Sequence, residues 1–185
     1  MGVATIGGWA FYSCDALTSV ELPMSIATIG ESAFEYCRAL KNITIPSNIV
    51  TIGTYAFDDC YNLSLATITA PTIEAYCNSA INKKLYDAYA RCNRKIQING
   101  EELTDVVVPN TVNKINHYAF YKCKDLTSIT LPESVTSIND YAFQWCTNLT
   151  SITLPESVTS IGNNVFEGVK YLTVYSNATT PAAVG

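Results

Sequence analysis

Seven cysteines and one histidine are the side chains best equipped for chemistry in this chain, and their spacing argues against a reactive or metal-binding centre. Structural zinc sites bring cysteines about two to four residues apart on a turn and pair them with histidines at similar spacing. Here Cys14, Cys37, Cys60, Cys123 and Cys146 recur every 23 residues on either side of one interruption. His117 has no cysteine or carboxylate at ligand spacing, so no metal is expected. Serine and threonine are abundant, but a nucleophilic hydroxyl needs a base within hydrogen-bond reach, and His117 alone is thin support. No Walker A loop, G-x-G-x-x-G or G-x-S-x-G occurs. The chain is read as having no cofactor and as not being an enzyme.

A disulfide framework is also disfavoured. Equivalent strands of a stacked repeat lie about 5 Å apart, within the Cα range of a disulfide, but equivalent side chains point the same way and neither sulfur faces its partner. The cysteine column therefore reads as core filler, cysteine being a small and commonly buried residue. Cys77 and Cys92 lie outside the column on one apolar stripe, where burial is again the expectation, and an odd count closes no framework.

The elements that hold these cysteines are set by a repeat. Phe11, Phe34, Phe57, Phe120, Phe143 and Phe166 each stand three residues before a column cysteine, or before Val169 in the last unit. Pro23, Pro46, Pro71, Pro109, Pro132, Pro155 and Pro181 each close a short apolar run. A fixed period of this size marks a solenoid, in which each unit buries its apolar face only by stacking on its neighbours. In residues 126–148, Ile129 and Leu131 alternate with Ser128 and Thr130, the period of a strand with one buried face. Pro132 ends the strand because it cannot donate to a ladder. Val135 and Ile138 point inward from a second short extended or helical-turn segment. Gly30, Gly53, Asn116, Asn139 and Gly162 follow, types that tolerate positive φ at a corner. Ala142-Phe143 closes the coil, and the stacked phenylalanines are expected to form one continuous buried column.

The pattern L-x-x-I-x-L-P-x-x-V-x-x-I-G-x-x-A-F-x-x-C, clearest from Ile29 to Cys37 and from Ile52 to Cys60, resembles the BspA-type leucine-rich repeat family over about four-fifths of the chain. The resemblance implies an α/β solenoid, a right-handed leucine-rich repeat superhelix of ~23-residue coils built mostly of short strands and turns. It also implies a secreted or surface-attached protein of anaerobic or mucosal microbes, associated with adhesion to host proteins or other cells.

One coil breaks the period. The prolines are 23, 25, 38, 23, 23 and 26 residues apart, so the coil after Pro71 carries 15 extra residues, 38 less 23. Within 72–102, Ile73, Cys77, Ile81, Leu85, Ala88 and Cys92 recur at helical spacing, and Thr72 suits an N-cap with Glu74 in the first turn. One helix, or two short ones broken near Asn82, is expected to replace the missing phenylalanine with its apolar stripe. Asn99-Gly100 then signals a two-residue hairpin, and Leu103 resumes the frame. Residues 1–185 are read as a single leucine-rich repeat domain with an irregular helical and hairpin coil at 72–102, and as a fragment of a longer protein.

Net charge is −5, which argues against general nucleic-acid binding, and no run approaches the ~20 apolar residues of a membrane span. Three surfaces could bind. Five of the eleven basic residues, Lys83, Lys84, Arg91, Arg94 and Lys95, fall within 83–95 beside Tyr76, Tyr86 and Tyr89, a surface suited to an anionic partner. Tyr55, Tyr118 and Tyr141, with Trp9, stand two residues before a phenylalanine, and Trp145 lies nearby. Such aromatics favour protein or carbohydrate contacts, although covering the phenylalanines would explain them too. The strand face offers polar columns Ser19, Asn42, Thr67, Asp105, Ser128, Ser151 and Glu21, Thr44, Thr69, Val107, Thr130, Thr153. The function that fits is a non-catalytic protein- or glycan-binding module of a cell-surface or secreted, adhesin-like protein. A stalk displaying another domain, or an accessory domain of a surface enzyme, would carry the same repeat.

Overall fold

A computed structural model describes residues 2–79, 81, 83, 93–176 and 183–184. The chain winds through about seven turns of a β-solenoid. Strands β1 (Thr5–Ile6), β2 (Ser19–Glu21), β3 (Thr28–Ile29), β4 (Asn42–Pro46), β5 (Thr51–Ile52) and β6 (Leu65–Ala70) build the first coils. Helix α1 (Ile73–Asn78), β7 (Asn93–Ile98) and β8 (Glu101–Glu102) lie in the irregular coil. The period returns with β9 (Asp105–Val107), β10 (Lys114–Ile115), β11 (Ser128–Thr130), β12 (Ser137–Ile138), β13 (Ser151–Leu154), β14 (Ser160–Ile161), β15 (Thr173–Ser176) and β16 (Ala183–Val184).

These strands form two faces in each half. The N-terminal half has the sheets β1-β3-β5 and β2-β4-β6-β7-β8, and the C-terminal half has β10-β12-β14-β16 and β15-β13-β11-β9. Every pairing is parallel except the β7–β8 hairpin. After each proline except Pro71, where α1 begins, the chain turns and forms a short strand, the extended one of the two forms its spacing allowed. Alternation does what the period of two requires: Ile129, Leu131, Val135, Ile138, Ala142 and Phe143 are all buried, while Thr130 and Thr136 face out.

Two strand registers differ from the sequence reading. The third coil has its two extra residues inside β6, so Asn42 pairs with Leu65 and Thr44 with Thr67. Register follows the buried leucine of the entering turn, Leu40 to Leu63, rather than the proline, and because the extra residues number two, the alternation of buried and outward positions along β6 stays in phase. The outward columns also do not run unbroken into Asp105. The neighbour of β6 is β7, with Thr67 opposite Lys95, and β9 starts a separate sheet.

The phenylalanine turn is the part the sequence described least well. Positive φ falls not at the glycine and asparagine corner but on both sides of the phenylalanine. Two residues before it stand Trp9, Ser32, Tyr55, Tyr118, Tyr141 and Asn164, and two after it Ser13, Tyr36, Asp59, Lys122, Trp145 and Gly168. These left-handed residues let alternate N–H groups turn toward the next coil. Tyr118, Phe120 and Lys122 donate to the carbonyls of Asp140, Ala142 and Gln144 at 3.2, 2.7 and 2.8 Å. Glycine at the corner serves close approach instead: a Cβ on Gly53 would lie 2.4 Å from the Glu31 backbone nitrogen.

The phenylalanines form two stacks rather than one column. Phe11, Phe34 and Phe57 are face to face at 5.0 and 5.4 Å, and Phe120, Phe143 and Phe166 at 5.2 and 5.7 Å. Between them the insert supplies Tyr76, whose ring lies 5.5 Å from Phe120 at a tilt of 47°. Helix α1 has the expected cap, Thr72 Oγ1 accepting from the Ala75 N–H at 3.1 Å. Its expected stripe is buried at Cys77 and Ile81, and Ile73 is half-buried. Leu85, Ala88, Cys92 and the expected break at Asn82 lie outside the described residues. The hairpin forms as its sequence demands, with Asn99 and Gly100 both at positive φ (52° and 85°).

Candidate binding surfaces

The described thiols lie in or beside the core. Cys37, Cys60, Cys123 and Cys146 are buried and, like Cys14 and Cys77, free. Burial pushes Cys60, Cys77 and Cys123 up to about 12 and raises Cys146 well above the ordinary thiol value. They are more than filler, however. Cys37, Cys60 and Cys146 donate their S–H to the carbonyl of the preceding coil's phenylalanine, Phe11, Phe34 and Phe120, at 3.1, 3.0 and 2.9 Å. Each of these carbonyls also accepts from the N–H three residues on, at 3.2, 3.2 and 3.0 Å. A protonated thiol is what this position uses, as a hydrogen-bond donor. A signal was present in the sequence: valine or alanine would fill the same space, yet cysteine stands in five of six units.

His117 lies 3.3 Å from Asp140 across one coil step and is about half exposed. Among the described residues no group of three histidines, cysteines or carboxylates could hold a metal. Nor is any described helix long and apolar enough to cross a membrane.

The described residues of the basic stretch do not form one exposed surface. Arg94 is 1% exposed, its guanidinium 5.0 Å from the Tyr121 ring centre, and its backbone N–H donates to the Lys122 carbonyl at 3.1 Å. Lys95 bridges Glu102 at 2.9 Å and Asp125 at 3.6 Å, and the Glu102 hydrogen bond is the main cause holding its amine above the ordinary value. Lys83 is exposed, Lys84, Arg91, Tyr86 and Tyr89 lie outside the described residues, and Tyr76 is buried. Arg94 packs inward because β7 alternates, with Arg94, Ile96 and the half-buried Ile98 on one side and Lys95 and Gln97 on the other.

The aromatic edge is brought together by the phenylalanine turns. Tyr118 and Tyr141 occupy equivalent left-handed positions in successive coils and stack at 4.9 Å and 8°. Trp145 lies over Gly168 of the next coil, where a Cβ would come within 2.5 Å of its ring. In the N-terminal half, Trp9 and Tyr55 hold the same backbone position and are 58% and 56% exposed. Tyr12 and Tyr36 meet edge to face at 5.5 Å, with Arg38 over the Tyr36 ring. A bulky L-residue at positive φ costs roughly 1–2 kcal/mol, and glycine, asparagine or aspartate would take these positions more cheaply. For Tyr118, Tyr141 and Trp145, ring packing offsets that cost. For Trp9 and Tyr55, more than half of the side chain meets solvent, and packing accounts for little of the choice.

The model of the BspA type leucine rich repeat region matches six copies, over residues 1–98 and 93–180. Comparison with curated proteins finds no match. Among solved structures, a leucine rich cell surface protein of Faecalibacterium prausnitzii is 29% identical, with TM-score 0.47, over 98% of this chain and 45% of that one. A T. pallidum leucine rich repeat protein is 32% identical, with TM-score 0.43, over 91% and 71%. The pneumococcal vaccine antigen PcpA shares the fold at 20% identity and TM-score 0.50, over 95% and 55%. The chain spans less than half the length of the first of these and of a similar Bacteroides ovatus protein.

Proposed function

Because this chain belongs to the BspA-type leucine-rich repeat family, we propose that it is a non-catalytic binding module of a cell-surface or secreted protein, with protein or carbohydrate as its ligand. The family, typically found in secreted or surface-attached proteins, supports the location. One observation carries the contact surface: Trp9 and Tyr55 sit at left-handed backbone positions with most of their side chains in solvent. Folding gains little from these two rings, whereas recognition uses such rigid amphipathic side chains readily. Tyr118, Tyr141 and Trp145 extend the same edge in the C-terminal half. Ser19, Glu21, Asn42 and Thr44 on the strand face are polar, and Lys95 is already committed to two carboxylates.

The test compares the parent with a Trp9→Asn/Tyr55→Asn double variant on arrays of host glycoproteins, free glycans and whole microbial cells. Capture by the parent that falls about tenfold or more in the double variant, with an unchanged urea midpoint, is the expected result. Equal capture by both proteins would remove the aromatic edge from the reading, and no capture by either would leave a spacing role.

A further inference from the structure

The seam between the two half-solenoids leaves a strand edge open. Among the described residues β9 pairs with β11 on one side and with no strand on the other. The Val108 N–H donates to the Thr130 carbonyl at 3.0 Å. Backbone groups alternate along a strand, so those of Asp105 and Val107 face away from β11, toward the seam. Beside this edge lies a cavity of about 540 Å³ whose lining includes Pro71, Ile73, Ile98, Leu103, Val107 and Glu101. Val107 is 71% exposed, and the residues paired in its column on the next two strands are Thr130 and Thr153. Val107 on β9 and Tyr175 on β15, the two end strands of this sheet, thus replace the threonines of the column. The rim is acidic. Glu101 lines the cavity and is exposed, Asp105 is exposed with its carboxylate accepting from the Thr127 and Ser128 hydroxyls at 2.9 and 2.7 Å, and the nearby Lys95 is already bound to Glu102 and Asp125.

We propose that this gap takes an extended segment of a partner protein, added as one further strand against β9. An apolar side chain of that segment seats in the cavity, and a lysine or arginine lies beside Glu101 or Asp105. Three observations select an extended peptide. The open groups are main-chain donors and acceptors, which a strand satisfies in series. They continue a ladder that runs through β11, β13 and β15. And the negative rim calls for a cationic occupant. The segment is a partner within the binding-module reading, but it uses a surface separate from the aromatic edge.

The full chain is titrated with a fluorescein-labelled peptide Lys-Thr-Val-Thr-Val-Thr-Lys, while backbone amides are followed by NMR. Saturable binding is expected, with shifts at Asp105, Val107 and Glu101 and new protection of the Asp105 and Val107 amides from exchange. Val107→Pro removes an outward N–H while leaving the bonds to β11, since proline is tolerated on an edge; it is expected to weaken binding about tenfold or more. Glu101→Lys is expected to weaken it about threefold and flatten its salt dependence. The same peptide N-methylated at alternate residues is expected not to bind, which decides the matter even where Val107→Pro unfolds the protein. Tyr55→Asn is expected to leave peptide affinity unchanged, which separates this surface from the aromatic edge. No saturable binding at millimolar peptide, equal affinity for the N-methylated peptide, or shifts confined to the aromatic edge would each overturn the proposal. So would concentration-dependent dimerisation abolished by Val107→Pro, which would put a second copy in the gap.

Discussion

Replacing Cys146 separates two accounts of the cysteine column that the sequence alone cannot distinguish. The thiol is buried and donates to the Phe120 carbonyl at 2.9 Å, and that carbonyl also accepts from the Cys123 N–H at 3.0 Å. Cys146→Ala removes the sulfur's apolar contacts, about 1 kcal/mol. It also removes the hydrogen bond, about 1 kcal/mol more, because the carbonyl keeps its second partner and is not orphaned. The total is about 2 kcal/mol. Cys146→Ser keeps a donor at nearly the same place and gives up mainly the sulfur's contacts, about 1 kcal/mol. If the cysteine were filler alone the order would invert, since a hydroxyl buried without a partner costs roughly 1–3 kcal/mol where alanine costs nothing polar. Urea unfolding of the three proteins, followed by circular dichroism at matched slope, reads the order directly. A serine variant less stable than the alanine variant by about 1 kcal/mol or more would refute the donor role.

Phe143→Ala, at the centre of the C-terminal stack and fully buried, should cost about 3–5 kcal/mol. Phe11→Ala should cost clearly less because Phe11 is 38% exposed at the end of its stack, and equal urea midpoints for the two variants would contradict the stacking account. Tyr76→Phe removes the O–H donated to the Ala119 carbonyl at 2.7 Å and should lower stability by about 1–2 kcal/mol. The melting temperature should fall as pH rises from 9 toward 12: an unfolded thiol ionises near 9, whereas Cys60, Cys77 and Cys123 hold their protons to about 12. Above 9 the folded state therefore binds more protons than the unfolded one, and stability is lost across that window. A Cys60→Val/Cys123→Val variant should show a shallower fall over the same range, and native labelling by iodoacetamide at pH 8 should spare all three thiols.

Periodicity carried most of the architecture. Two faces, proline at strand ends, buried phenylalanine and cysteine, the Thr72 cap and the Asn99-Gly100 hairpin all follow from local rules, because each is decided by residues close in sequence. What was not legible depends on contacts between coils. Local rules place positive φ at the glycine corner, since glycine is the usual occupant of such positions. The repeat instead places aromatic and other side chains there, where the N–H groups flanking each phenylalanine must turn toward the next coil. Arg94 looked like part of a basic surface because charge runs are read along the chain, while burial is set by which side of β7 a residue occupies. For the same reason Tyr118, Tyr141 and Trp145 were recognisable as aromatics but not as residues in intercoil contact.

The insert does more than widen one return. Strand β7 extends the N-terminal ladder over six pairs, from Leu65–Asn93 to Ala70–Ile98, yet among the described residues its backbone pairs with the C-terminal half at one isolated bridge, Arg94 to Cys123. The parallel ladder on that face is therefore cut, and side chains carry the junction instead. The α1 segment is bound on both sides of it. Ser79 donates its hydroxyl to the Ser47 carbonyl in the N-terminal half. Tyr76 reaches Ala119, and Asn116 donates to the Cys77 carbonyl at 3.0 Å, in the C-terminal half. Arg94 closes the gap beneath Tyr121, a buried charge that needs its neighbours in place to be tolerated. A uniform array would join every coil by the same backbone bonds and would present no open edge between its ends. Cutting the ladder forfeits those bonds, and the aromatic, arginine and helix-end contacts restore cohesion without restoring the strand pairing. The unpaired side of β9 among the described residues is the direct consequence: the seam is held together largely by side chains, without a strand ladder.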